Sequence, residues 1–219
     1  MLKRCTAEAI GTFAIVFFGC GGMMVAERFP GAISPAAISV VFGLVVMAMI
    51  YTLGHISGAH FNPAVTLAFA ITRHFPFRSV LLYWTAQCIG SLIASGLLFL
   101  LLPHGIGYGE TVPRVPLLQA FIWEVILTFT LMFVVMGVAK DSRAVGMLAG
   151  LVIGATVMLT AVVGGPITGD SMNPARSLGP AIASGRIDVL WLYILGPMVG
   201  AVLGALIYQW VRGEREPQS

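Results

Sequence analysis

Six long apolar runs constrain this chain more strongly than any other feature of its sequence. Each run is close to the roughly 20 residues that an α-helix needs to cross the hydrocarbon core of a bilayer. Because that core offers no water to the backbone, the N–H and C=O groups of a spanning segment must bond within the helix. The runs cover residues 5–26, 34–54, 79–102, 117–139, 144–164 and 189–211. The sequence therefore predicts an all-α membrane protein with six transmembrane helices in a lipid bilayer.

The composition excludes an ordinary soluble domain. Of the 219 residues, 58% are hydrophobic and only 10% are charged, whereas soluble domains carry about 25% charged residues. The net charge of +3 does not predict a nucleic-acid partner, because the basic residues lie between the apolar runs and not in a patch. The three cysteines lie within or beside apolar runs and imply no disulfide framework.

One short motif occurs twice between the apolar runs. Its copies are Asn62-Pro63-Ala64 and Asn173-Pro174-Ala175. Asn caps a helix start because its side-chain oxygen accepts an unpaired backbone N–H, and Pro fits the first turn, where its missing N–H costs nothing. The segments that follow, 63–72 and 174–184, reach roughly 15 Å, about half the bilayer core. We therefore predict two re-entrant half-helices. Capped surface helices are the alternative, but they do not explain two copies at matching places.

The matching places belong to two halves of one chain. Residues 1–102 and 117–219 each contain three spans and one half-helix in the same order, and residues 103–116 link them. Because three is an odd number of spans, the second half must be inverted relative to the first. In inverted repeats, half-helices at corresponding places point to the binding or conduction site. The sequence predicts a single transmembrane channel domain, 1–219, with an inverted internal repeat.

The short loops carry a bias in Lys and Arg that predicts the orientation. If the N-terminus is cytoplasmic, eight basic residues face the cytoplasm and four face outward. The inward set is Lys3, Arg4, Arg73, Arg78, Lys140, Arg143, Arg212 and Arg215, and the outward set is Arg28, Arg114, Arg176 and Arg186. We predict a multi-pass protein of the cell (inner or plasma) membrane with both termini in the cytoplasm.

Two carboxylates lie inside the predicted spans. Glu8 and Glu124 occupy matching places in the two halves, about one turn into their helices. A charge at the bilayer centre costs at least about 2.5 kcal/mol, so each side chain should face the protein interior and find partners there. The loops before the half-helices have backbone N–H groups that need acceptors. We predict that the two glutamates brace these loops, and a proton relay is the alternative.

The two half-helices should meet near the bilayer midplane with their N-termini facing each other. Asn62 and Asn173 would each use the side-chain oxygen as a cap and keep the NH₂ group as a donor toward a cavity. Two positive helix ends at one point oppose protons and other cations. The oxygen of a neutral hydroxylated molecule, in contrast, can accept hydrogen bonds from these donors. The pattern therefore predicts a passage for water and small uncharged solutes.

A permanent cation distinguishes the second half. Arg176 follows the second motif, whereas Val65 occupies the matching position after the first. This asymmetry predicts a selectivity filter at the outer mouth, and a structural salt bridge with Asp170 is the alternative. His60, two residues before Asn62, either lines the cytoplasmic vestibule or is an ordinary hydrogen-bonded loop histidine.

The sequence predicts no enzyme, cofactor or metal site. It contains no nucleophile–base arrangement and no metal-ligand spacing. The main alternative to a passive channel is an ion- or proton-coupled secondary transporter of a small neutral solute, which also uses inverted repeats and broken helices. Glu8 and Glu124 would then be the coupling groups.

The chain resembles the aquaporin, or major intrinsic protein, family over essentially its whole length. Its two signatures match residues 54–66, Gly-His-Ile-Ser-Gly-Ala-His-Phe-Asn-Pro-Ala-Val-Thr, and residues 172–177, Met-Asn-Pro-Ala-Arg-Ser. The resemblance implies a homotetramer with one pore per subunit and passive conduction.

The resemblance also implies a four-residue filter of Phe42, Ala161, Asp170 and Arg176. Phe42 matches the aromatic residue that narrows water channels. Ala161 stands where strict water channels have histidine, so it should widen the opening. Asp170 departs from the small residue or Cys that is usual there. Its carboxylate would reach Arg176 and hold it to one side, or else would point to solvent or only stabilise the loop.

The subfamily resemblance concerns the solute. The stretches 49–51, 165–169 and 193–194 look most like the nodulin-26-like subfamily. That group is associated with water, glycerol and uncharged metalloid acids such as boric and arsenous acid. Ser177, in contrast, replaces the Asp that is typical of glycerol facilitators. A strict water channel remains the narrower interpretation.

Overall fold

Eight α-helices and their connections make up the described part of the chain. A computed structural model describes residues 1–102, 107–140 and 146–213. The helices are α1 (Leu2–Arg28), α2 (Pro35–Ser57), α3 (Pro63–Ile71), α4 (Val80–Leu101), α5 (Leu117–Val135), α6 (Ala149–Thr168), α7 (Pro174–Ser184) and α8 (Leu190–Arg212). Within these residues, all except α3 and α7 are long and apolar enough to cross a membrane. The predicted order of spans and half-helices is therefore confirmed. Arg143, Arg215 and the beginning of the predicted span 144–164 lie outside the described residues.

Helices α2 and α6 run about one turn beyond their predicted ends at residues 54 and 164. They end at Ser57 and Thr168. Pro166 lies inside α6, and a membrane helix tolerates it because neighbouring groups can satisfy the freed carbonyl. Each helix stops at a glycine in the left-handed conformation, Gly58 with φ 90° and Gly169 with φ 85°. The longer helices carry the hydroxyls of Ser57 and Thr168 to the loops that precede the half-helices.

Small residues let three helix pairs pack closely. α1 packs on α4, α5 on α8, and α2 on α6. Where α2 crosses α6, a Cβ atom on Gly154 would lie 2.7 Å from the carbonyl oxygen of Gly43, so the backbones approach each other only because both residues are glycine. Gly90 in α4 and Gly200 in α8 face backbone carbonyls of α1 and α5 in the same way. Such contacts hold membrane helices together where hydrophobicity supplies no inward force.

The half-helices α3 and α7 begin at their predicted caps. Asn62 Oδ1 accepts a hydrogen bond from Ala64 N at 2.9 Å, and Asn173 Oδ1 accepts one from Ala175 N at 3.0 Å. α3 packs against α4 and α8, and α7 packs against α4, α8 and α1. The spanning helices therefore surround both half-helices, which satisfies the requirement that irregular backbone at membrane depth be buried in protein.

Candidate pore site

The two Asn side chains join the N-termini of α3 and α7. Asn62 Nδ2 donates to the carbonyl oxygen of Met172 at 2.7 Å, and Asn173 Nδ2 donates to that of Phe61 at 2.8 Å. The expectation that each whole NH₂ group faces a cavity is therefore corrected, because a carbonyl of the opposite loop lies within reach of one N–H. An amide NH₂ group has two hydrogens, so one donor of each Asn remains for the cavity that both residues line.

The loops before the half-helices hold left-handed backbone at matching positions. Phe61 has φ 51° and Met172 has φ 50°, while Ala59 and Asp170 have φ 50° and 48°. Residues with a side chain rarely adopt this conformation, so the surrounding structure must hold it. The loop N–H groups also need acceptors, because they lie away from bulk water.

Glu8 supplies the acceptors for the first loop. Its Oε1 accepts hydrogen bonds from Ser57 Oγ at 2.6 Å and His60 N at 3.0 Å. Its Oε2 accepts them from Phe61 N at 2.6 Å and Gln87 Nε2 at 2.8 Å. The side chain is completely buried. Four donors on one buried carboxylate satisfy both of its oxygens and hold the loop to α1.

Glu124 makes the equivalent bonds in the second loop. Its Oε1 accepts hydrogen bonds from Thr168 Oγ1 at 2.8 Å and Ser171 N at 3.0 Å, and its Oε2 accepts one from Met172 N at 2.9 Å. As in the first half, the hydroxyl that ends the preceding helix and two successive loop N–H groups meet one carboxylate. The two halves therefore repeat the hydrogen-bond pattern as well as the helix order.

A cavity of about 300 Å³ runs beside the joined loops. This central cavity is lined by loop residues 58–62 and 170–173 and by aliphatic side chains of α1, α2, α5 and α6. The aliphatic residues include Ile15, Val46, Ile50, Leu131, Val135, Ile153 and Val157. Its lining combines a few polar groups with extensive apolar surface, which is typical of a site for a small neutral molecule.

A second cavity, the mouth cavity of about 840 Å³, shares two lining residues with the first. Phe42 and Asp170 line both cavities, Ala161 lines the mouth cavity, and Arg176 lines the central cavity. All four side chains are buried. The structure therefore places the four predicted filter residues around the junction between the two cavities.

Comparison with known proteins assigns the family. The family model described as major intrinsic protein matches residues 1–208. This chain belongs to that family. Nodulin-26 of Glycine max is 50% identical over 219 residues, which cover 100% of this chain and 81% of the relative. The probable aquaporin NIP4-2 of Arabidopsis thaliana is 50% identical over 220 residues, covering 99% of this chain and 77% of the relative.

The fold of this aquaporin is also that of a solved relative. The X-ray structure of the aquaglyceroporin from Plasmodium falciparum matches with a TM-score of 0.85 at 25% identity, covering 94% of this chain and 95% of that chain. These matches confirm the predicted family, the likeness to nodulin-26 and the fold class. The family is one of membrane channels, and the protein is a multi-pass channel that passively conducts water and small solutes.

The linker between the two halves of the aquaporin holds Arg176. The Nη1 atom of this arginine donates to the carbonyl oxygen of Gly109 at 2.7 Å, and Nη2 lies 3.3 Å from Met23 Sδ. The guanidinium carbon lies 4.9 Å from the centroid of the Phe42 ring. Arg176 Nε has no hydrogen-bond partner among the described residues.

Asp170 does not pair with Arg176. Among the described residues the two side chains form no ion pair, so the hypothesised salt bridge is wrong. The carboxyl group turns toward α6 instead, where its Oδ1 lies 3.0 Å from the position of a Cβ on Gly164. Since Gly164 has no side chain, α6 leaves room for the carboxyl group at this point.

Gly109 is a site residue that the sequence analysis missed. Its φ is 71°, and a Cβ there would lie 2.6 Å from Cys20 Cβ, so only glycine fits between the linker and α1. This fit places the Gly109 carbonyl where it accepts from Arg176. Nothing in the linker sequence signals the contact, because it depends on the path of an aperiodic segment.

Two hydroxyl residues and two tyrosines were missed as well. The hydroxyls of Ser57 and Thr168 donate hydrogen bonds to the two glutamates. Tyr83 donates to the carbonyl oxygen of Ser57 at 2.7 Å, and Tyr193 donates to that of Thr168 at 2.6 Å. Ser57 and Thr168 have the same spacing in the sequence as the two motif asparagines. That repeat spacing would have identified them.

His60 has the hydrogen-bond partner expected of an ordinary loop histidine. Its Nδ1 lies 3.1 Å from Thr66 Oγ1, and its ring packs among Phe69, Phe75 and Tyr83. It also lines the central cavity. In the part of the chain that the structure describes, no group of three or more His, Cys, Asp or Glu side chains is placed to hold a metal ion.

Replacing Glu124 tests the hydrogen-bonded loop. Glu124→Gln keeps one acceptor oxygen and should lower thermal stability modestly in detergent while water flux persists. Glu124→Leu leaves the loop N–H groups without acceptors, at about 1–3 kcal/mol each, and should lower both stability and folded yield much more. Thermal unfolding and size-exclusion chromatography measure these effects. Loss of flux in well-folded Glu124→Gln, together with unchanged stability of Glu124→Leu, would contradict a bracing role.

Proposed function

We propose that residues 1–219 form one channel domain that conducts water, glycerol and other small uncharged solutes through the central cavity. The observation that carries the proposal is the pair of cross-loop hydrogen bonds from Asn62 and Asn173. These bonds set two helix N-termini beside a largely aliphatic cavity, where each amide has a donor to spare. A hydroxylated neutral molecule suits this setting because it accepts a hydrogen bond and brings no charge. Boric and arsenous acid belong to the same chemical class and are further candidate solutes.

The point where the two half-helices meet excludes protons and cations. The N-termini of α3 and α7 each carry a partial positive charge, and Asn62 and Asn173 present donors to the same short stretch of cavity. A water molecule there turns its oxygen to both donors and therefore does not relay a proton along a chain. This is the established explanation of aquaporin-type selectivity, applied here to these two residues.

The filter is wider than that of a strict water channel. Ala161 is a small side chain on the mouth cavity, and Arg176 is drawn toward the linker by Gly109. Phe42, which lies against the guanidinium, supplies the apolar side of the opening. These three features of the filter together favour passage of a solute larger than water.

The assembly and the orientation are also proposals. A homotetramer with one pore per subunit rests on the family resemblance. The orientation with both termini in the cytoplasm of the cell membrane rests on the distribution of Lys and Arg. Arg114 and Arg186 line the mouth cavity, in agreement with an outward-facing mouth.

A coupled secondary transporter fits the buried carboxylates less well. A coupling group must bind and release its ion in each cycle. Glu8 and Glu124 already accept four and three hydrogen bonds, and protonation would remove acceptors from the loop N–H groups. The geometry therefore favours a static role for both residues.

Passive flux separates the two mechanisms. Purified protein in sealed liposomes should equilibrate glycerol down its own gradient with no ion gradient present, and the rate should not change when a proton gradient is imposed. Stopped-flow light scattering measures the flux, and protein-free liposomes are the control. Flux that appears only with an imposed ion or proton gradient would establish a coupled transporter instead.

The width of the filter is tested by Ala161→His. The added ring should narrow the opening and reduce glycerol permeability about tenfold, a barrier of about 1.4 kcal/mol, while water permeability changes far less. Ala155→His is the matched control, because Ala155 lies on the exposed face of the same helix. Equal losses of water and glycerol flux in Ala161→His would reject the wide filter in favour of a strict water channel.

A further inference from the structure

Asp170 lies at the junction between the two cavities. It lines both of them together with Phe42, and only 8% of its surface is exposed. Its backbone is left-handed, with φ 48°, and its N–H donates to Thr168 Oγ1 at 3.1 Å. Thr168 Oγ1 in turn donates to Glu124, so the bonds that hold the second loop also hold Asp170 at the junction.

The Asp170 carboxyl group lacks the partners that the two glutamates have. Among the described residues, its Oδ1 is buried without a hydrogen-bond partner, whereas Glu124 accepts three hydrogen bonds. A buried carboxylate without donors is so costly that such a group normally takes up a proton instead. A buried polar atom without a partner also requires an explanation.

The charged groups around Asp170 shift its pKa in opposite directions. Glu124 on α5 and Arg176 on α7 are the neighbouring charged groups that interact electrostatically with Asp170. The Arg176 guanidinium is hydrogen-bonded to the linker. Burial raises the pKa of Asp170 well above its usual range, the Glu124 charge raises this pKa further, and the Arg176 charge lowers it. Other charged residues that share the mouth cavity are Glu27, Glu110, Arg114 and Arg186.

We infer that Asp170 stands at the junction of the two cavities as a neutral carboxylic acid and that this acid recognises the hydroxyl groups of the solute. A protonated carboxyl group donates one hydrogen bond and also accepts, whereas a carboxylate only accepts. A neutral polyhydroxylated solute offers both kinds of group, so it matches the acid better than the ion. The inference deepens the proposed function and rests on it: Asp170 becomes a specificity-determining residue whose effect depends on its proton.

Infrared spectroscopy tests the protonation state without any flux measurement. At neutral pH the spectrum of the wild-type protein in lipid should contain the carbonyl stretch of a protonated carboxyl group that is missing from Asp170→Asn. Asp188→Asn is the matched control, because Asp188 is exposed, and this substitution should leave the band in place. A difference spectrum of Asp170→Asn with only a carboxylate loss would overturn the inference. If that variant does not fold, the pH titration of the same band in the wild-type protein decides.

The glycerol-to-water permeability ratio tests recognition. As the pH is raised, the wild-type ratio should fall about fivefold, the size of one hydrogen bond, as the protonated band disappears. The ratio of Asp170→Asn should not change with pH, and that of Asp188→Asn should follow the wild type. If the band disappears within the range measured, identical pH profiles in wild type and Asp170→Asn, or a fall in the ratio that does not follow the band, would overturn the inference. A band that persists to the highest pH requires a constant ratio over the whole range.

The two levels of the proposal fail separately. Absence of both water and glycerol flux at every pH would reject the proposed channel function, while the infrared band would still decide the state of Asp170. Normal passive flux with a pH-independent ratio and no protonated band would reject only the role of Asp170.

Discussion

Two buried carboxylates hold the irregular backbone on which the rest of this structure depends. Loops at the middle of a bilayer have N–H groups that neither lipid nor water can satisfy, and each unpaired group costs about 1–3 kcal/mol. Glu8 and Glu124 each accept two successive loop N–H groups and the hydroxyl that ends the preceding helix. The same hydrogen bonds hold loop residues whose backbone is left-handed, a conformation that belongs to neither a strand nor a right-handed α-helix. Because each loop leads directly into a half-helix, holding the loops in place also holds the half-helices in place.

The joined centre follows from this arrangement, and the proposed selectivity rests on the places where the two halves differ. Asn62 and Asn173 cross-link the loops symmetrically and give the centre a neutral, donor-rich character. The second half then adds a cation and a carboxyl group, Arg176 and Asp170, where the first half has Val65 and Ala59. The repeat therefore accounts for the symmetric centre, while the proposed filter on one side rests on these two differences between the halves.

The sequence predicted what depends on local chemistry and missed what depends on the path of the chain. Apolar run length and the Asn caps predicted six spans and two half-helices, including the exact limits of α7. The predicted spans 34–54 and 144–164 ended with their apolar runs, which is too early, because α2 and α6 continue to the hydroxyls that hydrogen-bond the glutamates. The contact of Gly109 with Arg176 and the turn of Asp170 toward α6 were not predictable. Both depend on where the aperiodic linker and the re-entrant loop pass one another.

The central claim is that the junction of the two half-helices passes neutral molecules and blocks protons. The most direct measurement records water permeability and proton permeability on the same liposomes, with an entrapped pH-sensitive dye for the second. Water permeability should rise with the amount of protein, whereas proton permeability should stay at the level of protein-free liposomes, because the facing helix ends and Asn donors interrupt proton transfer. Proton permeability that rises in proportion to water permeability would contradict the claim.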